Sequence, residues 1–313
     1  MTRSTRSRSE RGFRPPHPLL PHMKTLIRSN GVYDPAILKA VFLAGGPGSG
    51  KSHVASALFD IPNNSKVLVT TAATGLKIVN SDPLFEMYLR KMGVDPKILS
   101  SLSKEEFYEL TETKTGPRIR AKEAANRLFE SWLREKLGLL LDGTGDDFSK
   151  IKTKSDRLRT LGYDTKMLFV NTSLDVAKSR NRKRSRVLPD ALVEETWYAV
   201  QNNLGLFQRY FGVENFVIVD ASENGPPPVE ALTAARRLLS RPLTNRIGLA
   251  WVRKELAARP GMSKRGGLRR PKPKPKPKPN PDECSMCQGT GIVSRYAHVE
   301  GGRCFACKGT GRR

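Results

Sequence analysis

The stretch "AVFLAGGPGSGKS" (Ala40–Ser52) decides the fold. A short apolar run stops at glycines, and a lysine and a serine follow. Gly45, Gly46, Pro47, Gly48, Ser49, Gly50, Lys51 and Ser52 satisfy G-x-x-x-x-G-K-[ST] at every fixed position. A strand that enters such a loop and leaves as a helix turns backbone N–H groups and the positive end of a helix dipole toward an anion. The expected ligand is ATP with Mg2+. Lys51 then reaches the β/γ oxygens and the Ser52 hydroxyl takes a magnesium position. A chance glycine-rich turn is the rival reading, and the strand–loop–helix context weighs against it.

Outward from this loop, short apolar runs alternate with longer amphipathic stretches. "VFLAG" (41–45), "KIVNS" (77–81), "GLLLDG" (138–143), "KMLFVNT" (166–172) and "NFVIVD" (215–220) read as buried strands. "SHVASALFD", "GPRIRAKEAANRLFESWLREKLG", "SLDVAKSRNRKR", "LVEETWYAVQNNLGLFQRYFG" and "PPVEALTAARRLLS" read as helices. Such alternation predicts an α/β fold, a mostly parallel sheet covered by helices on both faces. Ligands then collect at the carboxyl ends of the strands.

The 313 residues have room for one nucleotide-binding core plus attachments, not for a second motor core. That favours a small kinase. Such an enzyme needs a carboxylate near the acceptor hydroxyl, a group near the metal, and mobile arginines. Asp82 in "IVNSDPLFE" follows a predicted strand end and suits the first role. Pro83 fits a first helical turn, so Asp82 is alternatively a helix N-cap. Asp142 ends "LLLDGTG" as an acid closes a Walker B strand, and is the candidate magnesium ligand; a strand-end turn residue is the rival. Arg180, Arg182, Lys183, Arg184 and Arg186 in "KSRNRKRSRVLP" fall where a lid over the γ-phosphate belongs, or else form a solvated basic helix. Arg118 and Arg120 are further candidates for gripping substrate.

These motifs, "GGPGSGKS", "VNSDPLFE", "LLLDGTG" and "RNRKRSR", resemble the zeta-toxin and polynucleotide-kinase branch of P-loop kinases over roughly residues 38–222. The resemblance implies that Asp82 is the general base for a substrate hydroxyl. It implies lid arginines among Arg180, Arg182, Arg184 and Arg186. "VIVDAS" (217–222) is similar to the last strand and the loop bordering the adenine. The arrangement further resembles bacteriophage kinases that phosphorylate 5-hydroxymethyluracil within DNA, a step toward hypermodified thymidines. No DxDxxR-type motif surrounds Asp82, which sets the substrate pocket apart from that of a typical polynucleotide 5′-kinase.

The net charge is +25, and it is concentrated at the ends. Residues 1–30 carry seven Lys/Arg against one Glu, and residues 251–313 carry sixteen basic against four acidic residues. Such ends attract a polyanion through counterion release; tails that only aid solubility are the alternative. DNA, the phage genome in the case of a phage-encoded enzyme, is the expected partner. No stretch has the apolar core of a signal peptide or the length to cross a bilayer, so a cytoplasmic protein without membrane association is expected.

All four cysteines lie in "CSMCQGTG" (284–291) and "CFACKGTG" (304–311), one C-x-x-C-x-G-x-G octet repeated. Cys284, Cys287, Cys304 and Cys307 fit one closed tetrahedral Zn2+ site, with the glycines letting backbone N–H groups face the sulfurs. A dithiol redox pair is the rival, and His298 is a further possible ligand. The repeat resembles the zinc module of DnaJ-type chaperones. The expected organisation is a basic N-terminal segment (1–30), a P-loop kinase domain (31–255), a Pro/Lys linker (256–281) and the zinc-binding module (282–313). That module is expected to grip nucleic acid or a protein partner at the end of its tether. Besides the DNA kinase, a zeta-toxin-like kinase of a UDP-amino sugar, a polynucleotide 5′-hydroxyl kinase and an ATP-dependent adaptor remain open.

Overall fold

Alternation of side chains along each strand sorts the apolar runs onto two faces of one sheet. The computed structural model describes residues 34, 36–61, 69–184, 187–223, 225–258, 282–296 and 299–312. The basic segment 1–30, the Pro/Lys spacer 271–281, Arg186 and His298 lie outside the described residues.

The strands are β1 (Lys39–Ala44), β2 (Lys77–Val79), β3 (Leu139–Asp142), β4 (Asp164–Asn171) and β5 (Phe216–Asp220). All pair in parallel, in the order β2-β3-β1-β4-β5. The five apolar runs are thus the five strands, and the α/β reading holds. Helices α1 (Lys51–Phe59), α2 (Asp82–Lys91), α3 (Lys104–Thr111), α4 (Pro117–Arg134), α5 (Phe148–Thr160), α6 (Leu174–Arg182), α7 (Asp190–Phe211), α8 (Val229–Ser240) and α9 (Arg246–Ala257) connect and follow them. The sequence reading lacked α3, α5 and α9, and of α2 it gave only the first turn at Pro83.

Phe42, Leu139, Leu141, Met167, Phe169, Phe216 and Ile218 face one way, against α4, α5 and α7. Val41, Leu43, Leu140, Leu168, Val170, Val217 and Val219 face the other, against α1 and α8. A third cluster, with Leu84, Phe85, Phe107, Ala121, Leu188 and Val193, joins α2, α3 and α4 to the start of α7. Among the described residues no helix is long and apolar enough to cross a membrane.

The chain leaves β1 for the far edge at β2, returns through β3 beside β1, and then crosses to β4 on the other side. The connections therefore diverge at the carboxyl end of β1, the place where open parallel sheets bind ligands. The phosphate loop begins there.

The repeated cysteine octets pack onto this domain. Tyr296 is fully buried, and its hydroxyl donates to the Phe216 carbonyl at 2.7 Å. Phe216 opens β5, so the docking place is the amino end of the strand, opposite the phosphate loop. Gln208 and Arg209 of α7 bond the two polar groups of Ala306: its N–H donates to Gln208 Oε1 at 3.2 Å, and Arg209 Nη2 donates to its carbonyl at 2.9 Å. Met286, Val293, Tyr296 and Val299 are continuous with the core around Phe207, Phe211 and Phe216.

Candidate active site and metal centre

The phosphate loop is held by backbone geometry that side chains cannot adopt. Gly48 has φ 74°, and a Cβ there would lie 2.1 Å from the Ala177 carbonyl oxygen. Gly50, with φ 90°, precedes α1, and no side chain caps that helix, which leaves its N-terminal N–H groups to a ligand. Lys51 Nζ curls back over the loop and donates to the Gly45 carbonyl, with Gly46 O at 3.4 Å. Ser52 is exposed at the head of α1. The loop is tied to the neighbouring strand, because Gly45 N–H donates to Thr144 O at 2.9 Å and Gly143 N–H to Leu43 O at 3.0 Å.

That tie brings Asp142, the last residue of β3, beside the loop. Asn80 Nδ2 donates to its Oδ2 at 2.8 Å, while its Oδ1 is shut off from solvent with no hydrogen-bond partner among the described residues. Burial pushes the Asp142 carboxyl up to about 6; Lys51 and Arg184 pull it down and the charge of Asp82 raises it further. The charges of Lys51, Asp82, Asp142 and Arg184 therefore converge on one place. The orphaned carboxylate oxygen and the exposed Ser52 hydroxyl are hard oxygen donors of the kind Mg2+ takes, so these residues fit the metal that a P-loop kinase fold implies.

Asp82 is the first residue of α2 and is exposed. The N-cap is Ser81, and the Asp82 N–H is taken by Asn80 Oδ1 at 2.8 Å. Asn80 thus bridges Asp142 and the head of α2, a role that no signal in the sequence advertised.

The basic stretch divides. Arg180 donates to the Ala221 and Glu223 carbonyls at 2.6 and 2.7 Å, beside Gly50. With Gly50, His53, Ala221, Gly225 and Pro227 it lines a cavity of about 200 Å³ between α1 and the loop after β5. Arg182 pairs with Asp190 at the start of α7. Lys183 is exposed, and Arg184 is the member whose charge reaches Asp142. The fully buried Asn181 closes the base of the segment: its Nδ2 donates to Leu188 O at 2.8 Å and its Oδ1 accepts from Leu188 N–H at 3.1 Å. Arg118 sits 2.9 Å from Glu112 and over the Phe85 ring, and Arg120 is exposed on α4.

The four cysteines meet. All four Sγ atoms lie within 4.8 Å of one another, with Cys284–Cys304 at 3.9 Å and Cys287–Cys307 at 3.7 Å. Four sulfurs about 2.3 Å from a central zinc sit on a tetrahedron with edges of about 3.8 Å, so the set fits Zn2+. Gly291 N–H donates to Cys287 Sγ at 3.2 Å and Gly311 N–H to Cys307 Sγ at 3.3 Å. The octets are reciprocal: Cys284 N–H donates to Gly311 O at 2.8 Å and Cys304 N–H to Gly291 O at 2.9 Å. A Cβ on Gly291 or Gly311 would lie 2.2 or 2.1 Å from the carbonyl oxygen of Gly309 or Gly289, which is why both octets end in glycine.

Residues 41–206, more than half of the chain, match the family model AAA_33, described as an AAA domain. The chain belongs to this AAA domain family. The AAA domain takes in the phosphate loop, Asp82, Asp142 and the arginine segment, and ends within α7; its fold here is P-loop kinase-like. No curated protein matches the chain. Three solved structures similar to this AAA-domain chain are a putative kinase from Chloroflexus aurantiacus J-10-fl, a gluconokinase from Sinorhizobium meliloti 1021 and a chain of the Pnkp1/Rnl/Hen1 RNA repair complex. The first is 15% identical, with TM-score 0.43 over 66% of this chain and 98% of that one. The second is 18% identical, with TM-score 0.34 over 71% and 97%. The third is 16% identical, with TM-score 0.36 over 53% and 45%.

Proposed function

We propose that the protein is an ATP-dependent kinase that transfers the γ-phosphate to a hydroxyl on nucleic acid, the 5-hydroxymethyl group of 5-hydroxymethyluracil in DNA. The observation that carries the phosphotransferase reading is the convergence of Lys51, Asp82, Asp142 and Arg184 at the phosphate loop. The acceptor rests on the motif resemblance and on the +25 charge. Asp82, exposed at the head of α2, takes the proton of the acceptor hydroxyl as that oxygen bonds to the γ-phosphorus. The bond from phosphorus to the β–γ bridging oxygen breaks, and ADP carries away the electron pair. Lys51 and Arg184 hold the charge that develops on the transferred group. The cavity beside Gly50 and Ala221 takes the adenine. Ser52 and Asp142 hold Mg2+, which neutralises phosphate charge when bound. A base inside a duplex has to leave the stack to reach such a pocket. Cys284, Cys287, Cys304 and Cys307 hold a structural Zn2+.

The test is label transfer from γ-labelled ATP to three acceptors: DNA containing 5-hydroxymethyluracil, ordinary DNA with free 5′-hydroxyls, and a UDP-amino sugar. Products are digested to nucleosides and weighed. Phosphate on the modified base supports the proposal. Label confined to 5′ ends, label on the sugar nucleotide, or ATP consumption without any phosphorylated acceptor each overturns it.

A further inference from the structure

We infer that the four-cysteine module is a metal-dependent brace of α7, and that through α7 it holds the loops of the phosphate site in place. The inference rests on the zinc reading proposed above and adds what the metal does for the rest of the chain.

Helix α7 is the element to which the site loops are tied. Near its start Asp190 pairs with Arg182, and Glu194 pairs with Lys178 at 2.5 Å. Glu195 pairs with Lys104 of α3 at 2.5 Å. In its middle, Trp197 Nε1 donates to Thr172 O at 2.8 Å and Gln201 Nε2 to Asn171 Oδ1 at 3.0 Å, at the carboxyl end of β4. Asn203 Nδ2 donates to Gly145 O at 3.1 Å and Asp146 O at 2.7 Å, in the loop that follows Asp142. Four separate segments around the site therefore take their position from one helix.

The far end of that helix is held by the cysteine module. Gln208, fully buried, and Arg209 grip Ala306, which lies inside the second C-x-x-C. Gly205 lets the backbone of Phe305 approach, since a Cβ there would stand 3.1 Å from the Phe305 carbonyl oxygen. Arg295 donates to the Val213 carbonyl in the turn after α7, and Tyr296 to Phe216 beyond it. Ala306 lies between Cys304 and Cys307, so a bound metal would cross-link both ends of the loop that Gln208 and Arg209 hold, beyond the backbone bonds Cys304 N–H to Gly291 O and Gly309 N–H to Cys304 O. Gln208 is 18 residues from Asp190, about 27 Å along the helix, so the module does not touch the reacting groups. It acts on them as a positioning element.

The experiment compares full-length wild type with two variants. Cys304→Ser/Cys307→Ser removes two ligands. Gly205→Val leaves every ligand in place and pushes a side chain into the Phe305 backbone. Bound zinc is counted first; wild type and Gly205→Val should each carry one ion per chain. The brace predicts that both variants melt lower by about 5 °C or more and bind MgATP about tenfold more weakly. For Gly205→Val the sign is diagnostic, because helix propensity alone favours valine over glycine and would raise the melting temperature. Titrating wild type with a zinc chelator gives the same readout without a mutation. Zinc bound at full stoichiometry in Gly205→Val, with melting and MgATP affinity unchanged in both variants, overturns the brace. Absence of zinc from the wild type overturns the metal reading on which it rests.

Discussion

Replacing Asp142 by asparagine should make the ligand-free protein more stable at neutral pH. The Asp142 carboxyl titrates at about 6 instead of 3.8, with burial as the main cause, Lys51 and Arg184 opposing it and Asp82 adding to it. A carboxyl raised in the folded state binds its proton more tightly there than in the unfolded chain. Stability is then fully present below about pH 3.8, falls as pH rises through about 6, and stays reduced above. A shift of that size corresponds to about 3 kcal/mol at pH 7. Asparagine removes the charge and keeps the acceptor for Asn80 Nδ2, but it puts an N–H donor where Oδ1 has no partner. That orphan costs about 1 kcal/mol, leaving a net gain of about 2 kcal/mol, or about 4–8 °C for a domain of this size. The assay is urea denaturation of both proteins at pH 4, 6 and 8 without nucleotide, repeated with MgATP. At pH 4 the charge penalty is nearly gone and the orphan cost remains, so the variant should be no more stable than wild type there; a gap in its favour should open by pH 8 and narrow with MgATP, which stabilises the wild type more. A variant less stable than wild type at pH 8, or a gap that does not change with pH, refutes the reasoning.

Gly48→Ala should cost at least about 100-fold in ATP affinity, because the φ of 74° and the 2.1 Å approach to the Ala177 carbonyl leave no place for a methyl group; isothermal titration measures it. Asn181→Ala should lose about 1–3 kcal/mol of stability and lower the rate of phosphate transfer more than ATP affinity, since it unties the base of the arginine segment at Leu188. Lys166 is buried against the Leu238 carbonyl, and burial lowers its ammonium to about 8. The folded state then holds fewer protons than the unfolded chain between about pH 8 and 10.5, so stability should rise with pH across that window. Lys166→Met should flatten that rise in denaturation curves.

The strands were legible because burial on both faces writes each one as a continuous apolar run, from "VFLAG" to "NFVIVD". The helices that escaped notice are poorer in such signals. Helix α5 turns only Ser155 and Leu158 fully inward and is otherwise dominated by charge. Helix α3 is short, yet Ser103 and Glu106 form a capping box that marks its start. The phosphate loop and the cysteine octets were legible because their chemistry demands fixed spacing. Asn80, Asn181 and Gln208 were not, since each is a single polar residue whose partner is set only by tertiary packing. The seat of the cysteine module was hidden for the same reason. A Pro/Lys spacer suggests a free appendage, and only the fold brings Tyr296 to Phe216 and Ala306 to Gln208.

The central claim is that this site moves a phosphoryl group to an acceptor hydroxyl with Asp82 as the base. Single-turnover transfer from labelled ATP to DNA containing 5-hydroxymethyluracil, measured for wild type and Asp82→Asn alongside ATP binding, tests it most directly. The account predicts a loss of at least about 100-fold in transfer with ATP affinity within about twofold. Transfer that survives the substitution, or ATP turned over by both proteins with no phosphate on the DNA base, contradicts it.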